Sequence, residues 1–361
     1  MGSVEGHPAM KGVVLSGGTG SRLRPITFAM AKQLVPVANK PILFYGLEDL
    51  AEAGIAEVGI VVSPQTGDEI RDAVGDGSRF GIEPTFIVQE RPLGLAHALL
   101  TALPFVDGDD VVMYLGDNLV KSGVADVVRD FEAERPNCQI LLSPVENPQA
   151  FGVADLDDSG KVRRLVEKPS SPPSNLALVG VYLFDDTIGE AIANIAPSAR
   201  GELEITDAIQ YQIDAGRSVK ASIVGDWWKD TGTKADLLHA QELVISDLAV
   251  DIVGEVVDTR IRGKVHVGKG SQIVDCDITG PAVIGDNVRM QRTTIGPLTS
   301  IGDNCRITDA AIESSIVMDE SEIHGWRIRD SLLGRGARIH GAAPPSFVEM
   351  TLGERSEIDA E

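Results

Sequence analysis

No apolar run in the 361 residues approaches the ~18 needed to span a bilayer, and no charged-then-apolar secretory leader opens the chain. A cytoplasmic protein is expected. Residues 1–9, MGSVEGHPA, read as an added leader, with Met10 as the native start. The three cysteines, Cys138, Cys276 and Cys305, show neither C-x-x-C nor any paired spacing, which argues against a disulfide framework and a thiolate metal site and for buried small residues in a reducing compartment. Positive charge is scarce: 32 Lys and Arg stand against 54 Asp and Glu, a net charge of −22. A nucleic acid or anionic membrane needs a basic face, so those partners are excluded.

What is present is an ordinary globular composition, 43% apolar, in a chain long enough for two domains. From Lys11 to about Gln241, short β-branched runs (KGVVLS, EVGIVVS, PTFIVQ, DVVMYLGD, CQILLSP) alternate with helical spacing (KPILFYGLEDLAEAGI, GLAHALLTALPF). The runs are apolar enough to be buried on both faces, so an α/β domain with a mostly parallel, helix-covered sheet is expected. QELVISDLAV reads as a helical connector. From about Val250 the texture changes. VGKGSQI, IGDNVRM and IGDNCRI begin at 267, 284 and 301, a period of 17 residues. MDESEI at 318 reads as another 17 on, and LGRGARI at 333 as a shortened last turn. Apolar residues return about every six positions, the pattern of a β-helix of hexapeptide repeats. The expected boundaries are a leader at 1–9, a catalytic domain at 10–240, a connector at 241–255, a β-helix at 256–345 and a tail at 346–361.

The scarce cations gather in LSGGTGSRLRPITFAMAKQLVPV, residues 15–37. The ending G-K-[ST] of a phosphate-binding P-loop is missing, and Leu23 stands where a dinucleotide fingerprint needs glycine. What remains is a turn whose bare N–H groups admit a phosphate closely, followed by Arg22, Arg24 and Lys32. Alone, it could equally be a tight turn with solvated cations. YLGDN (114–118) and KDTGT (229–233) each place an aspartate at a strand end; Asp117 and Asp230 converging could hold one Mg²⁺, although each alone would more often cap a turn. Lys168 and Arg200 alone read as surface cations. His97 reads as an ordinary helix residue, and of Trp227 and Trp228 one is expected packed and one lining the site.

GGTGSRLRPIT…AKQLVPVANKP, VQERPLGLAHAL, YLGDN, FGV, VEKP, GELEITDAI and WWKDTGT together resemble, in this order and over residues 10–345, the sugar-nucleotide pyrophosphorylases. Within them the chain is most similar to glucose-1-phosphate thymidylyltransferases of the long form found in antibiotic-sugar pathways. The resemblance implies a Rossmann-like nucleotidyltransferase domain followed by a left-handed parallel β-helix. It implies transfer from dTTP to a sugar 1-phosphate, giving a dTDP-sugar for deoxysugar synthesis and pyrophosphate, with Mg²⁺ required and a homo-oligomer formed. Leu15, Gly17, Gly18 and Gly20 would line the nucleotide, with Gln89 and Gly94 at the base. Arg22 and Lys32 would grip the triphosphate, and Asp117 and Asp230 would bind the metal. Gly152, Glu167, Lys168 and Val179 would shape the sugar-phosphate pocket, with Arg200 near its phosphate. Two residues depart from the pattern: Phe151 replaces a tyrosine common in short forms, and Lys229 stands where relatives often carry an apolar residue. A phosphate monoester is nearly dianionic at pH 7, with a second pKa of about 6, so no general base is needed, and positioning and charge neutralisation dominate. Alternatives from the same residues are UTP or GTP with another sugar or cyclitol phosphate, a β-helix acyltransferase using His324 or His340, and a sugar-nucleotide sensor.

Overall fold

The computed structural model describes residues 9–341 and 345–360; all of the expected leader except Ala9 lies outside them. The chain forms two compact units: the residues up to Gly18 with Leu43–Asp230, and Thr19–Ile42 with Thr231–Glu361. The sequence boundaries followed chain order, whereas contact assigns the short cationic stretch 19–42 to the C-terminal unit.

The first unit is built on a nine-stranded sheet. Its strands are β1 (Met10–Ser16), β2 (Glu57–Val62), β3 (Glu83–Val88) and β4 (Asp110–Leu115), then β6 (Cys138–Pro144), β7 (Gly152–Leu156), β8 (Val162–Glu167), β9 (Leu176–Phe184) and β10 (Val219–Ile223). A separate short pair is formed by β5 (Asn118–Val120) and β11 (Trp228–Asp230). The order β8-β7-β9-β4-β1-β2-β3 has β6 beside β9 and β10 beside β6. β1 is parallel to β2 and β4, and β2 to β3, while β9 runs antiparallel to β4 and β6. The five runs read from sequence are all strands, but β3 is half-exposed because it ends the sheet and has one neighbour. Helices α1 (Ile42–Glu52), α2 (Gly67–Val74) and α3 (Leu95–Val106) connect the parallel strands. The strands carry the core, with Val13, Val61, Met113, Ile140 and Phe184 in one buried cluster. All three cysteines are free and buried. Among the described residues no helix is long and apolar enough to cross a membrane.

The second unit is a parallel β-helix of three sheets, of seven, seven and five strands. Its columns of inward side chains are the apolar repeat seen in the sequence. Val267, Ile284, Ile301, Val317 and Leu333 stand in register on one face, and Ile273, Met290, Ile307, Ile323 and Ile339 on the next. The third column is Ile278, Ile295, Ile312 and Ile328. The phrase I-G-D-N follows from this geometry. Ile points inward. Asp286 N donates to Asp303 Oδ1 of the next coil (2.7 Å), and Asp303 N to Asp319 Oδ1 (2.9 Å). Asn287 and Asn304 turn the corner at positive φ. Gly leaves room for the aspartate above: a Cβ on Gly285 would stand 2.3 Å from Asp303 Oδ1.

Two expectations change here. Ile301 pairs with Val317, so the coil after IGDN is already one residue short, and the shortening comes a turn earlier than the sequence suggested. The first strands begin at Asp251, and the tail expected at 346–361 supplies strands Thr351–Leu352 and Glu357–Ala360, which pair with Leu332–Leu333 and Arg338–Gly341. The connector is α-helical only to Ile245.

The substitution Gly285→Ala should cost about 1–3 kcal/mol through overpacking of that ladder. Thermal unfolding followed by circular dichroism checks it; an unchanged midpoint would show that Asp303 can move aside freely.

Candidate active site

The end of β1 places Leu15 and Ser16 in the core, with Gly17 emerging half-exposed and Gly18 exposed. In the first unit Gly17 stands against Gln89, whose Oε1 would lie 3.3 Å from a Cβ at Gly17. Gln89 is buried at the end of β3 and is 3.3 Å from the Gly94 carbonyl and 2.9 Å from His97 Nδ1 through its Nε2. Gly94 must be glycine on two counts. Its φ is +105°, and a Cβ would fall 2.4 Å from the Leu203 carbonyl oxygen. His97, read as an ordinary helix residue, is thus tied to the expected base-reading side chain.

Strand pairing brings Asp230 opposite the residue that follows Asp117. β11 runs antiparallel to β5 with Asp230 opposite Asn118, and Asn118 follows Asp117 in the turn after β4. Asn118 Nδ2 donates to Asp117 Oδ1 (3.0 Å), while its Oδ1 accepts from Trp228 Nε1 (2.6 Å) and Gly180 N (3.3 Å). A buried asparagine therefore orients the Asp117 carboxylate, a role the sequence reading did not assign. Gly180 makes room for it, since a Cβ there would meet the Asn118 side chain at 2.6 Å. Both aspartates are half-buried. Among the described residues no group of three or more His, Cys, Asp or Glu forms a metal cage. Two neighbouring carboxylates, an oxygen-only donor set, suit a hard divalent cation that keeps waters and takes its remaining ligands from a phosphate-bearing substrate. Trp227 and Trp228 are both half-buried; Trp228 packs edge-on to Phe151, with ring centroids 5.3 Å apart. Phe151, which lacks the tyrosine hydroxyl, thus contributes an apolar contact to Trp228.

A second cluster gathers where β7 and β8 pair, Gly152 opposite Glu167. A Cβ on Gly152 would meet Thr206 at 2.7 Å and Glu167 Oε2 at 3.1 Å. Thr206 Oγ1 donates to Glu167 Oε2 (3.3 Å). Desolvation pushes the Glu167 carboxyl above its ordinary value and Glu204 adds to this, against Lys168, Arg200 and the Thr206 hydrogen bond. Arg200 bonds Glu204 (2.8 Å) and Glu202 (3.1 Å) and lies 3.6 Å from Glu167. It is therefore a cation already neutralised by carboxylates, and a phosphate would have to compete for it. Lys168, at φ +41°, is 3.9 Å from Glu167. Val179 is fully buried in β9, so a part for it in the sugar-phosphate pocket would be played by its backbone.

In the second unit Gly20 turns the loop at φ +60°, its carbonyl accepting from Thr27 Oγ1 (2.7 Å). A Cβ there would meet Thr27 at 2.9 Å and Lys32 Cβ at 3.0 Å, so the glycine packs the turn onto the lysine, which is 6% exposed. Arg22 is exposed, and its guanidinium lies over Gly232, with Nη1 and Nη2 each 3.1 Å from where a Cβ would sit. The 19–42 stretch is fastened to the β-helix by Asn39 Nδ2, which donates to the Ile301 carbonyl (2.6 Å). Helix α4 (Lys234–Ile245), capped by Thr233, is held through Gln241 to Leu298, Ser300 and Ser315. His324, on the outer β-helix face, is 2.8 Å from Thr308 Oγ1.

Residues 11–247 match the family model described as nucleotidyl transferase. A glucose-1-phosphate thymidylyltransferase of Streptomyces griseus is 50% identical over 351 residues, 96% of this chain and 98% of that one. A low-salt glycan biosynthesis nucleotidyltransferase of Haloferax volcanii is 49% identical over 97% of this chain and 99% of its own. A solved Bacillus anthracis structure, described as a glucose-1-phosphate thymidylyltransferase in complex with a sucrose, superposes with a TM-score of 0.63 at 35% identity, covering 67% of this chain and 98% of its own.

Proposed function

The chain belongs to the nucleotidyl transferase family, and from that premise we propose that it is a glucose-1-phosphate thymidylyltransferase. The phosphate of glucose 1-phosphate attacks the α-phosphorus of dTTP; the new P–O bond gives dTDP-glucose and the α–β bridging oxygen leaves with pyrophosphate. The observation that carries this reading is the pairing that sets Asp230 opposite Asn118, one residue from Asp117. It supplies two carboxylates where an enzyme joining two anions must bring in positive charge.

The roles follow from charge and access. Asp117 and Asp230 would hold Mg²⁺, which when bound neutralises phosphate charge and orients phosphate oxygens. Arg22 and Lys32 bind the triphosphate and stabilise charge as it develops on the leaving pyrophosphate. The bare N–H groups of Gly17, Gly18 and Gly20 approach the nucleotide without Cβ interference, and Leu15 underlies them. Gln89 and Gly94 face the base. Gly152, Glu167, Lys168 and Arg200 receive the sugar phosphate. There Glu167 accepts hydrogen bonds from sugar hydroxyls, while Lys168 and Arg200 attract the phosphate. No residue has to remove a proton from the nucleophile, whose phosphate is already nearly dianionic at pH 7.

A panel of nucleoside triphosphates against sugar 1-phosphates, read by pyrophosphate release, tests the proposal. With glucose 1-phosphate, dTTP should be used first and UTP less well, by the ~1–3 kcal/mol that one methyl is worth in a fitted pocket. A strong preference for GTP or ATP would overturn the assignment.

A further inference from the structure

The hydrogen bonds around Gln89 set its carboxamide one way round. Its amide nitrogen is 3.3 Å from the Gly94 carbonyl oxygen. A carbonyl can only accept, so the NH₂ must face that side. The same nitrogen is 2.9 Å from His97 Nδ1, and its second hydrogen points there. His97 Nδ1 must then offer a lone pair, which makes the ring neutral with its proton on Nε2. Oε1 is left on the opposite edge, towards Gly17. His97 stands in the first turn of α3, and its own carbonyl accepts from Thr101 Oγ1 (2.9 Å).

We propose that His97 is a positioning residue that holds the Gln89 carboxamide with its oxygen towards the base, and so makes the site reject cytosine nucleotides. The inference rests on the reading that Gln89 faces the base. Thymine and uracil present N3–H, a donor that an outward Oε1 accepts. Cytosine has a bare N3 at that place, and two lone pairs would meet with nothing to satisfy either. A site built around a buried hydrogen bond discriminates strongly, because the wrong partner leaves its polar group unpaired. With His97 removed, the long bond to Gly94 is the one tether left on the amide nitrogen among the described residues. A half-turn about the terminal torsion then exchanges that one bond for an Nε2–H offered to cytosine N3. His97 has no part in separating dTTP from UTP, since both carry N3–H.

The test compares kcat/KM for dTTP and dCTP at saturating glucose 1-phosphate in the wild type, Gln89→Leu, His97→Leu and His97→Asn. Leucine removes the acceptor, whereas the asparagine Oδ1 can take the place of the imidazole Nδ1. His97→Leu should lower the dTTP-to-dCTP ratio about tenfold, the scale of one lost hydrogen bond. The loss should lie mainly in KM for dTTP, because the chemistry occurs at phosphorus. His97→Asn should restore the ratio to within about threefold of wild type. An unchanged ratio in His97→Leu while Gln89→Leu abolishes it would overturn the role of His97 and leave the base contact standing. An unchanged ratio in Gln89→Leu would overturn the base contact itself. Equal loss in the leucine and asparagine variants, with a lowered unfolding midpoint, would reduce His97 to a packing residue. His97→Ala carries the same comparison should the leucine variant not fold.

Discussion

Asp230→Asn or Asp117→Asn should lower turnover roughly 10³-fold, about 4 kcal/mol of barrier. Asparagine keeps the shape and one carbonyl oxygen but loses the negative charge that retains a hard cation. Both residues are half-buried, so the effect should appear in kcat and not in the unfolding temperature. Raised Mg²⁺ should recover part of the loss if weakened metal binding is its cause. The double variant should lose far less than the product of the two singles, as expected where one ion serves both carboxylates. The Asp117 variant carries an added disturbance: Asn118 Nδ2 now donates to Oδ1 of the carboxylate, and a new amide can present either end to it. Asp230→Asn is therefore the cleaner measurement. Near-normal turnover at low Mg²⁺ in that variant would show Asp230 to be a turn residue and place the metal elsewhere.

What could be read from the sequence was what repeats locally. The β-helix announced itself because each coil must present Ile or Val inward at the same place, and Gly, Asp and Asn each answer to the coil above or below. The one-residue shortening after Ile301 was misplaced because a coil can lose a residue at a corner while the phrase continues. Thus Val317-Met318-Asp319-Glu320 answers Ile301-Gly302-Asp303-Asn304 with hardly a shared letter. The strand-end aspartates were legible as candidates, since motif and spacing place them after apolar runs. Their convergence was expected only as a possibility and through the resemblance, because the strand pairing behind it, β5 with β11, spans 110 residues of chain. Asn118, Thr206, His97 and Gly232 were missed for the same reason. All four lie inside quoted motifs, yet what each touches (Asp117 and Trp228, Glu167, Gln89, and Arg22) is set by the fold and not by the motif. The grouping of residues 19–42 with the β-helix was hidden too, since it rests on contacts far apart in sequence, among them Asn39 Nδ2 reaching the Ile301 carbonyl and Arg22 lying over Gly232. Cutting the chain near residue 250 would take the Asn39 anchor away from the stretch that bears Arg22 and Lys32.

Removal of the Arg22 guanidinium should be nearly as damaging as loss of a metal carboxylate. Arg22 is exposed and makes no ion pair among the described residues, so no protein carboxylate neutralises it and its full charge is available to a triphosphate. Arg22→Ala should reduce kcat by about 10²–10³, the range for losing one preorganised donor at developing charge. Arg22→Lys should recover little, because an ammonium is a point charge without the planar fork that bonds two phosphate oxygens at once. Gly232 provides an independent check. Its φ is not positive, so the backbone does not demand glycine there; the space does, since a Cβ would stand 3.1 Å from both terminal guanidinium nitrogens. Those atoms end a flexible, exposed side chain that can swing away at small cost, so Gly232→Ala should leave stability within about 0.5 kcal/mol of wild type. The same swing moves the guanidinium off its seat, and kcat should fall at least tenfold, since a displacement of about 1 Å can cost 10²-fold. Combining Gly232→Ala with Arg22→Ala should then add almost nothing to Arg22→Ala alone. Full additivity in that pair would mean that Gly232 acts through something other than Arg22, and an Arg22→Ala enzyme within tenfold of wild type would return the arginine to the status of a solvated surface cation.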